Sequence, residues 1–439
     1  MSSSTYPGFT QSPNHRHRPL IKKIFTVSPG FYTFVGWATS NFSVVIGPEG
    51  WILIDGGDDP VVAREASAEV RKLTDKPLAG VVLTHSHPDH TMGAVGFLEG
   101  EDPDLPVWGR ANFGGENAGF QGIEQVTGRR AGRQFGRGIP PERYTVNSLV
   151  PKPAVFGGPG TKMLRPNKTF AGERQELRLA GLNLELYAAP GETSDQLFIW
   201  FPASQVLVCA DNMYRSFPNL YPIRGSGYRD VAAWAESLRR MRAFNPKAVI
   251  MGHTEPAEGE EGLGMLENYA AAIQYVYDET LKGMNEGRTA DELAAAIRLP
   301  DHLRDLDYLG EYYGCVPWAV RSIFSGKLGW FDGNPVNLAP LAPQEEAERM
   351  AALAGGAAGL LAAARKALDS GDCRWAARLA DICLLLPEDG AVRQDARRLL
   401  ADALEVMSGE ILPITGKNYL MTCALELRAD ETGKNGGGS

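Results

Sequence analysis

Apolar and polar positions keep one rhythm over the first part of this chain and another over the rest. Residues 25–47 alternate the two types around Gly and Ser, as in Phe31-Tyr32-Thr33-Phe34-Val35 and Phe42-Ser43-Val44-Val45-Ile46. A period of two predicts the strands of a meander or hairpin. Residues 47–50, Gly-Pro-Glu-Gly, predict a turn, and 51–55 a buried strand running into Gly56-Gly57. Residues 61–73 take the helical period. Short apolar runs at 81–83, 182–187, 197–201, 206–209 and 248–251 predict further strands. Between the last two, 230–244 predicts an amphipathic helix with Val231, Trp234, Leu238 and Met241 on one face. Residues 111–150 are rich in Gly and Arg with weak periodicity, and are expected as long excursions over a site.

Beyond about residue 260 the helical period takes over, at 264–284, 289–297 and most of 343–407. Turns such as Ser370-Gly371-Asp372 and Pro387-Glu388-Asp389-Gly390 separate Ala-rich helices into stacked hairpins. The pair 374–386 and 392–407 resembles a tetratricopeptide-type unit, with too few copies to make an array. A chain of 439 residues exceeds one ordinary core, so two domains are expected. Net charge is -9 and the pI about 5.4, which argues against a nucleic-acid partner. Cys209, Cys315, Cys373, Cys383 and Cys423 are scattered without a C-x-x-C pair, so neither a disulfide framework nor a cysteine metal site is expected. A reducing compartment is the simpler setting. Residues 1–24 show no apolar signal core and are expected as a disordered arm holding His15 and His17; a cytoplasmic location follows. Residues 431–439 are expected as a flexible tail. The longest charge-free apolar run, 351–364, is shorter than the roughly 20 residues a bilayer requires, so no membrane span is expected.

Candidate chemistry is concentrated at strand ends. The run at 81–83 empties into His85-Ser86-His87-Pro88-Asp89-His90, an H-x-H-x-D-H turn that holds three of the chain's seven histidines. Imidazole and carboxylate are ligands of zinc and similar divalent ions. The i, i+2 histidines can grip one ion, while Asp89 and His90 turn toward a second. Two adjacent ions can clamp both ends of a displacement. Glu192, Asp211 and His253 each follow another apolar strand, and loops at one edge of a sheet sandwich would gather them. No histidine lies between His90 and His253.

This arrangement resembles the metallo-β-lactamase superfamily, which implies an α+β fold: an αββα sandwich with two metal ions in its edge loops. In that superfamily a third histidine of the first ion stands in Pro-Gly-His-Thr; here the text is Pro190-Gly191-Glu192-Thr193. The resemblance therefore implies His85, His87 and Glu192 on one zinc ion, Asp89, His90 and His253 on the other, and Asp211 bridging. Asp211-Asn212-Met213-Tyr214, Phe217 through Gly225, Arg229-Asp230 and Trp234 narrow the likeness to the zinc-dependent alkyl sulfatases. So do Tyr312-Tyr313-Gly314, Gly329 through Pro335, Asn418-Tyr419-Leu420 and Ala424 through Arg428, which resemble that family's all-α dimerisation domain. Members of the family carry glutamate where this chain has Asp211. Many continue into a domain resembling sterol-carrier proteins; this sequence stops before it.

The implied domains are a catalytic sandwich over 25–262 and a helical dimerisation domain over 263–430. The implied reaction is hydrolysis of an alkyl sulfate ester to alcohol and inorganic sulfate. Hydroxide would be held by the zinc pair, with Asp89 and Asp211 as its catalytic carboxylates, and Asn219 and Arg224 would grip the sulfate oxygens. A guanidinium suits a flat array of anionic oxygens better than an ammonium does. The implied partners are an organic sulfate ester and a second copy of the chain. A lactonase, thioesterase or phosphodiesterase on the same fold is the alternative enzyme, and a non-catalytic helical scaffold the alternative class.

Overall fold

The structure is a computed structural model that describes residues 12, 15–145, 147, 149–150, 162–387 and 390–433. Among the described residues the chain folds as two compact units, one within 12–127 and 145–327, the other within 128–144 and 328–433.

Thirteen strands among the described residues make two sheets in the first unit. One joins β1 (Lys23–Ser28), β2 (Phe31–Val35), β3 (Phe42–Ile46), β4 (Trp51–Ile54), β5 (Leu78–Val82), β6 (Val107–Arg110) and β7 (Lys168–Phe170) in that order. The other joins β8 (Arg174–Leu179), β9 (Leu182–Ala188), β10 (Leu197–Phe201), β11 (Val206–Ala210), β12 (Ala248–Met251) and β13 (Ala257–Glu258). β1 to β4 are antiparallel, β4 to β7 parallel. In the second sheet only β11 and β12 run parallel.

The helices are α1 (Pro60–Leu73), α2 (Pro88–Thr91), α3 (Glu124–Gln134), α4 (Val231–Ala243), α5 (Gly259–Asn285), α6 (Ala290–Ala296), α7 (Asp301–Arg304) and α8 (Val316–Leu328). Then come α9 (Pro343–Leu353), α10 (Ala357–Asp369), α11 (Cys373–Leu385), α12 (Ala391–Glu410) and α13 (Ile414–Gly433).

Alternation along the strands sorts their side chains into layers. Ile52, Ile54 and Val82 meet Leu186, Ile199, Val208 and Ile250 between the sheets. Trp51, Leu53 and Val81 turn the other way, onto Ala63, Ala66 and Val70 of α1. Leu207, Cys209 and Val249 pack under Trp234, Leu238 and Met241 of α4 and Leu266 and Ile273 of α5. With both faces covered, the central strands read as unbroken apolar runs. The result is the expected αββα sandwich.

Two expectations about organisation meet a different packing. Residue 262, the expected domain boundary, lies inside α5, whose Leu266, Tyr269, Ile273 and Val276 cover the sandwich together with Leu293, Val316 and Ile323 farther along. Residues 128–144 are not excursions over the sandwich; they belong to the helical unit, where Arg133 pairs with Glu426, Arg143 with Glu405, and Asn418 donates to the Gln134 carbonyl. Ionic anchoring leaves no apolar stripe, so periodicity missed α3. The expected arm is packed where it is described: β1 starts at Lys23, and buried His15 lies with His17 against Tyr312, ring centres 5.7 and 5.3 Å away. Residues 1–11, 13 and 14 of that arm, Glu388-Asp389 of the expected turn and 434–439 of the expected tail lie outside the described residues.

In the helical unit, successive helices α10 to α13 pack one on the next around Leu360, Ala364, Ala376, Ala380, Ala396 and Leu399. Gly355 and Gly356, at φ 84° and 100°, turn the chain between α9 and α10, whose axes bend by 81°. A left-handed backbone of this kind favours glycine. No single helix among the described residues is long and apolar enough to cross a membrane.

Candidate metal centre

Strand ends build the site. The histidine turn leaves β5, Asp55 ends β4, Glu192 follows β9, Asp211 ends β11, and His253 follows β12. Asp55, Ala210 and Thr254 hold left-handed backbones at φ 57°, 51° and 64°. Such positions cost on the order of 1–3 kcal/mol each and persist where surrounding structure enforces them. Two of them flank Asp211 and His253. Gly252 has no room for a side chain, since a Cβ there would lie 2.0 Å from Asp211 Oδ1.

Three imidazoles converge on one carboxylate oxygen. Asp211 Oδ2 lies 3.7 Å from His85 Nε2, 3.2 Å from His90 Nε2 and 3.3 Å from His253 Nε2. Asp89 Oδ2 lies 3.5 Å from His253 Nε2 and 3.7 Å from His90 Nε2. Ligand atoms at tetrahedral zinc distances stand about 3.3 Å apart. The seven expected side chains fall into three groups, each with ligand atoms within 4.8 Å: His85, His90 and Asp211; Asp89, His90 and His253; His87, Glu192 and Asp211. The second group matches the expected second ion, and the third joins two expected ligands of the first ion to the bridging carboxylate. His85 lies nearer His90 than that division implies.

The donor set fits a divalent cation. Nε2 of His85, Nε2 of His90 and Oδ1 of Asp211 are buried without hydrogen-bond partners. The opposite ring nitrogens are all engaged. His90 Nδ1 is 2.9 Å from Asp55 Oδ2, and His253 Nδ1 donates to the Thr39 carbonyl at 3.1 Å. Thr84 gives its only hydroxyl proton to Asp55 at 2.7 Å, so the same oxygen accepts from His85 Nδ1 at 3.0 Å. Each Nδ1 contact fixes the orientation of its ring and turns Nε2 toward the cluster.

Charge is distributed unevenly over the cluster. Burial would lower His90 and His253, yet Asp211 and Asp89 raise His90 well above its ordinary range and His253 to about 10. Burial and the neighbouring His90 lower His85; burial, His85 and Arg224 lower His87. Asp211 is held well below the carboxylate range by His90 and His253, against its burial. Burial pushes Glu192 up to about 7, opposed by Arg229 and reinforced by Asp211.

The expected substrate residues lie on the loop between β11 and α4. Asn219 is buried; its N–H donates to Tyr214 Oη at 2.8 Å, and its Nδ2 is unpartnered. Burial lowers the Arg224 guanidinium, while Tyr313, Glu192 and Asp89 raise it, so its charge is felt at the cluster.

Sequence reasoning assigned no role to three supports of the site. Arg229 is buried and donates to Glu192 Oε1 at 2.9 Å. Thr39-Ser40-Asn41 stitches the two sheets: Ser40 donates to the Asp89 carbonyl, and Asn41 to the carbonyls of Met251, Gly252 and Thr254. Asp195 accepts from Thr193 and Gly114. The available signals were a small polar triplet between two apolar strands and an arginine directly before a helix cap.

Residues 35–253 match the metallo-beta-lactamase superfamily, and residues 289–430 match the family of the alkyl sulfatase dimerisation domain. A linear primary-alkylsulfatase of Pseudomonas sp. is 33% identical over 388 residues, 87% of this chain and 72% of that protein. An (R)-specific secondary-alkylsulfatase of Pseudomonas sp. is 30% identical over 435 residues, but this chain spans only 65% of its length. Among solved structures, the stereoselective inverting sec-alkylsulfatase Pisa1 from Pseudomonas sp. superposes with a TM-score of 0.83 at 28% identity, covering 93% of this chain and 66% of that one.

Proposed function

This chain belongs to the alkylsulfatases of the metallo-beta-lactamase superfamily, and on that premise we propose that it hydrolyses sulfate esters of alkyl alcohols at a dinuclear zinc centre. The observation that carries this reading is the convergence of three histidine Nε2 atoms on Asp211 Oδ2, beside a loop that carries Asn219 and Arg224.

His85, His87 and Glu192 would hold one ion, Asp89, His90 and His253 the other, and Asp211 both. Zinc supplies Lewis acidity and hydroxide at neutral pH when bound. The chain's own residues do the rest. Asp55, Thr84 and the Thr39 carbonyl orient the imidazoles. Arg224 binds and orients the sulfate through charge-assisted hydrogen bonds. The unpartnered Asn219 Nδ2 offers it a further donor.

A substrate panel of dodecyl sulfate, a lactone, a thioester and a phosphodiester, run with elemental analysis of the same sample, tests this reading. Turnover of the sulfate ester with zinc bound is the expected result; turnover of only the other esters would replace it with another hydrolase.

The chain works as a homodimer in this proposal. Support comes from the match to the dimerisation family and from apolar side chains of the helical unit that face solvent, Trp330 at 77% and Leu353 at 87% exposure among them. Light scattering at micromolar concentration should give twice the chain mass. A cytoplasmic setting is proposed on the five free cysteines, which a reducing compartment would leave unpaired.

A further inference from the structure

Helix α4 touches both ligand-bearing loops of the second sheet. Trp234 Nε1 donates to the Asn212 carbonyl at 2.9 Å, one residue past Asp211. Ser237 donates to the Pro190 carbonyl at 2.8 Å, two residues before Glu192. Asp230 caps the helix by accepting from the Ala233 N–H at 3.0 Å, which fixes the backbone where Arg229 leaves it. Arg229 is therefore launched from a braced position. Its Nη1 donates both to Glu192 Oε1 and to the Asn219 carbonyl.

The ion pair is buried on both sides, with side-chain exposures of 2% and 6%. A carboxylate buried this deeply with Oε1 committed to a fixed guanidinium has one oxygen left for an ion. The same guanidinium reaches the main chain of Asn219, whose side-chain nitrogen has no partner of its own. One side chain thus joins a metal-ligand candidate to the substrate loop.

We propose that Arg229 is a positioning residue that makes Glu192 a metal ligand and holds the Asn219 segment in register with it. The inference rests on the dinuclear reading of the centre, but its first readout requires no substrate. Arg229 makes both contacts through Nη1, held in the plane of its guanidinium; a lysine in its place keeps the charge but carries it on a flexible stem with rotatable donors.

The test is a chelator-competition titration of zinc on the full chain, for wild type, R229M, R229K, E192A and R229M/E192A, followed by kcat and KM on a sulfate ester. Removal of a group that orients a ligand costs about 10–100-fold in metal affinity, and R229M should show that loss. R229K should recover part of the zinc affinity, because the charge beside Glu192 is kept while the fixed guanidinium plane is lost. In the double variant zinc should bind as in E192A, since Arg229 has no ligand left to position. If R229M does not fold, R229K and R229M/E192A, in which no buried charge is stranded, carry the test. Zinc affinity in R229M within about threefold of wild type, against the 10–100-fold expected, would overturn the proposal. So would further zinc loss from E192A to the double variant. Should the zinc pattern hold while no sulfate ester turns over, the sulfatase reading fails and this inference stands.

Discussion

The edge of the sandwich and the core of the helical unit bury opposite materials. At the edge of the sandwich, His85, His90, Glu192, Asp211 and Arg229 are all buried, and their hydrogen bonds run between segments far apart in the chain. In the helical unit the buried positions are Leu360, Ala364, Ala376, Ala380, Ala396 and Leu399, while Arg428, Asp402 and Glu405 pair at 35–45% exposure. Removing one partner from the first arrangement strands another buried charge, and no water replaces it. Removing one from the second lets solvent take its place. A buried pair broken on one side costs about 3–5 kcal/mol, an exposed one about 0–1 kcal/mol. The sandwich edge is thus tuned for holding charge and the helical unit for shape.

The sharpest way to break this contrast is Glu192→Ala. It removes a ligand candidate and strands Arg229, so one zinc ion and most sulfate-ester activity should be lost, with a fall of about 3–5 kcal/mol in stability. Elemental analysis and denaturant melts on one preparation measure both. If two zinc ions stay tightly bound, Glu192 is not a ligand. Glu192→His should retain metal, since it installs a neutral nitrogen donor.

Leu399→Ala probes the other side. Leu399 is fully buried in α12, so its truncation should cost about 2–5 kcal/mol. Zinc content and kcat should stay near wild type. A loss of zinc in this variant would show that the two units do not divide the work as described.

Arg224→Ala separates binding of a charge from integrity of the site. Losing a charge-assisted hydrogen bond costs about 1.5–3 kcal/mol, roughly ten- to a hundredfold in affinity. Turnover of a sulfate ester should fall by that factor, turnover of a neutral ester far less, with metal content intact. Arg224→Lys should rescue in part, since a point charge lacks the bidentate contact. Equal losses on both substrates would make Arg224 structural.

Much of this contrast is visible in the text of the chain. The strand runs at 51–55, 197–201 and 206–209 appear as β4, β10 and β11, because strands covered on both faces need apolar residues at every position. His85 through His90, Glu192, Asp211 and His253 stood out because each sits just past such a run. Their supports did not. Asn41 is joined to Met251, and His253 to Thr39, across 210 residues or more, and the role of Thr39 is carried by a main-chain carbonyl that any residue would supply. The missed helix α3 has the same cause in reverse: an arginine–glutamate pair anchors it and only Gln134 is buried, so no run of apolar residues marks it.

The smallest expected effect is at Glu405. Burial would raise its carboxyl, but Arg428 and Arg143 hold it below the ordinary range. A depressed folded pKa stabilises above the unfolded value of 4.5 and stops doing so as pH falls through the folded value. Glu405→Gln should therefore cost under about 1 kcal/mol at neutral pH and flatten the acid limb of the stability profile. A larger loss would mean that the helical unit, too, depends on a buried charge.

Anomalous diffraction at the zinc edge, on crystals of the zinc-loaded chain, tests the central claim most directly. Two peaks are predicted, sharing Asp211. One should lie within bonding distance of His85, His87 and Glu192, the other of Asp89, His90 and His253. A single peak, or a pair that leaves Glu192 uncoordinated, would contradict the dinuclear site on which the account rests.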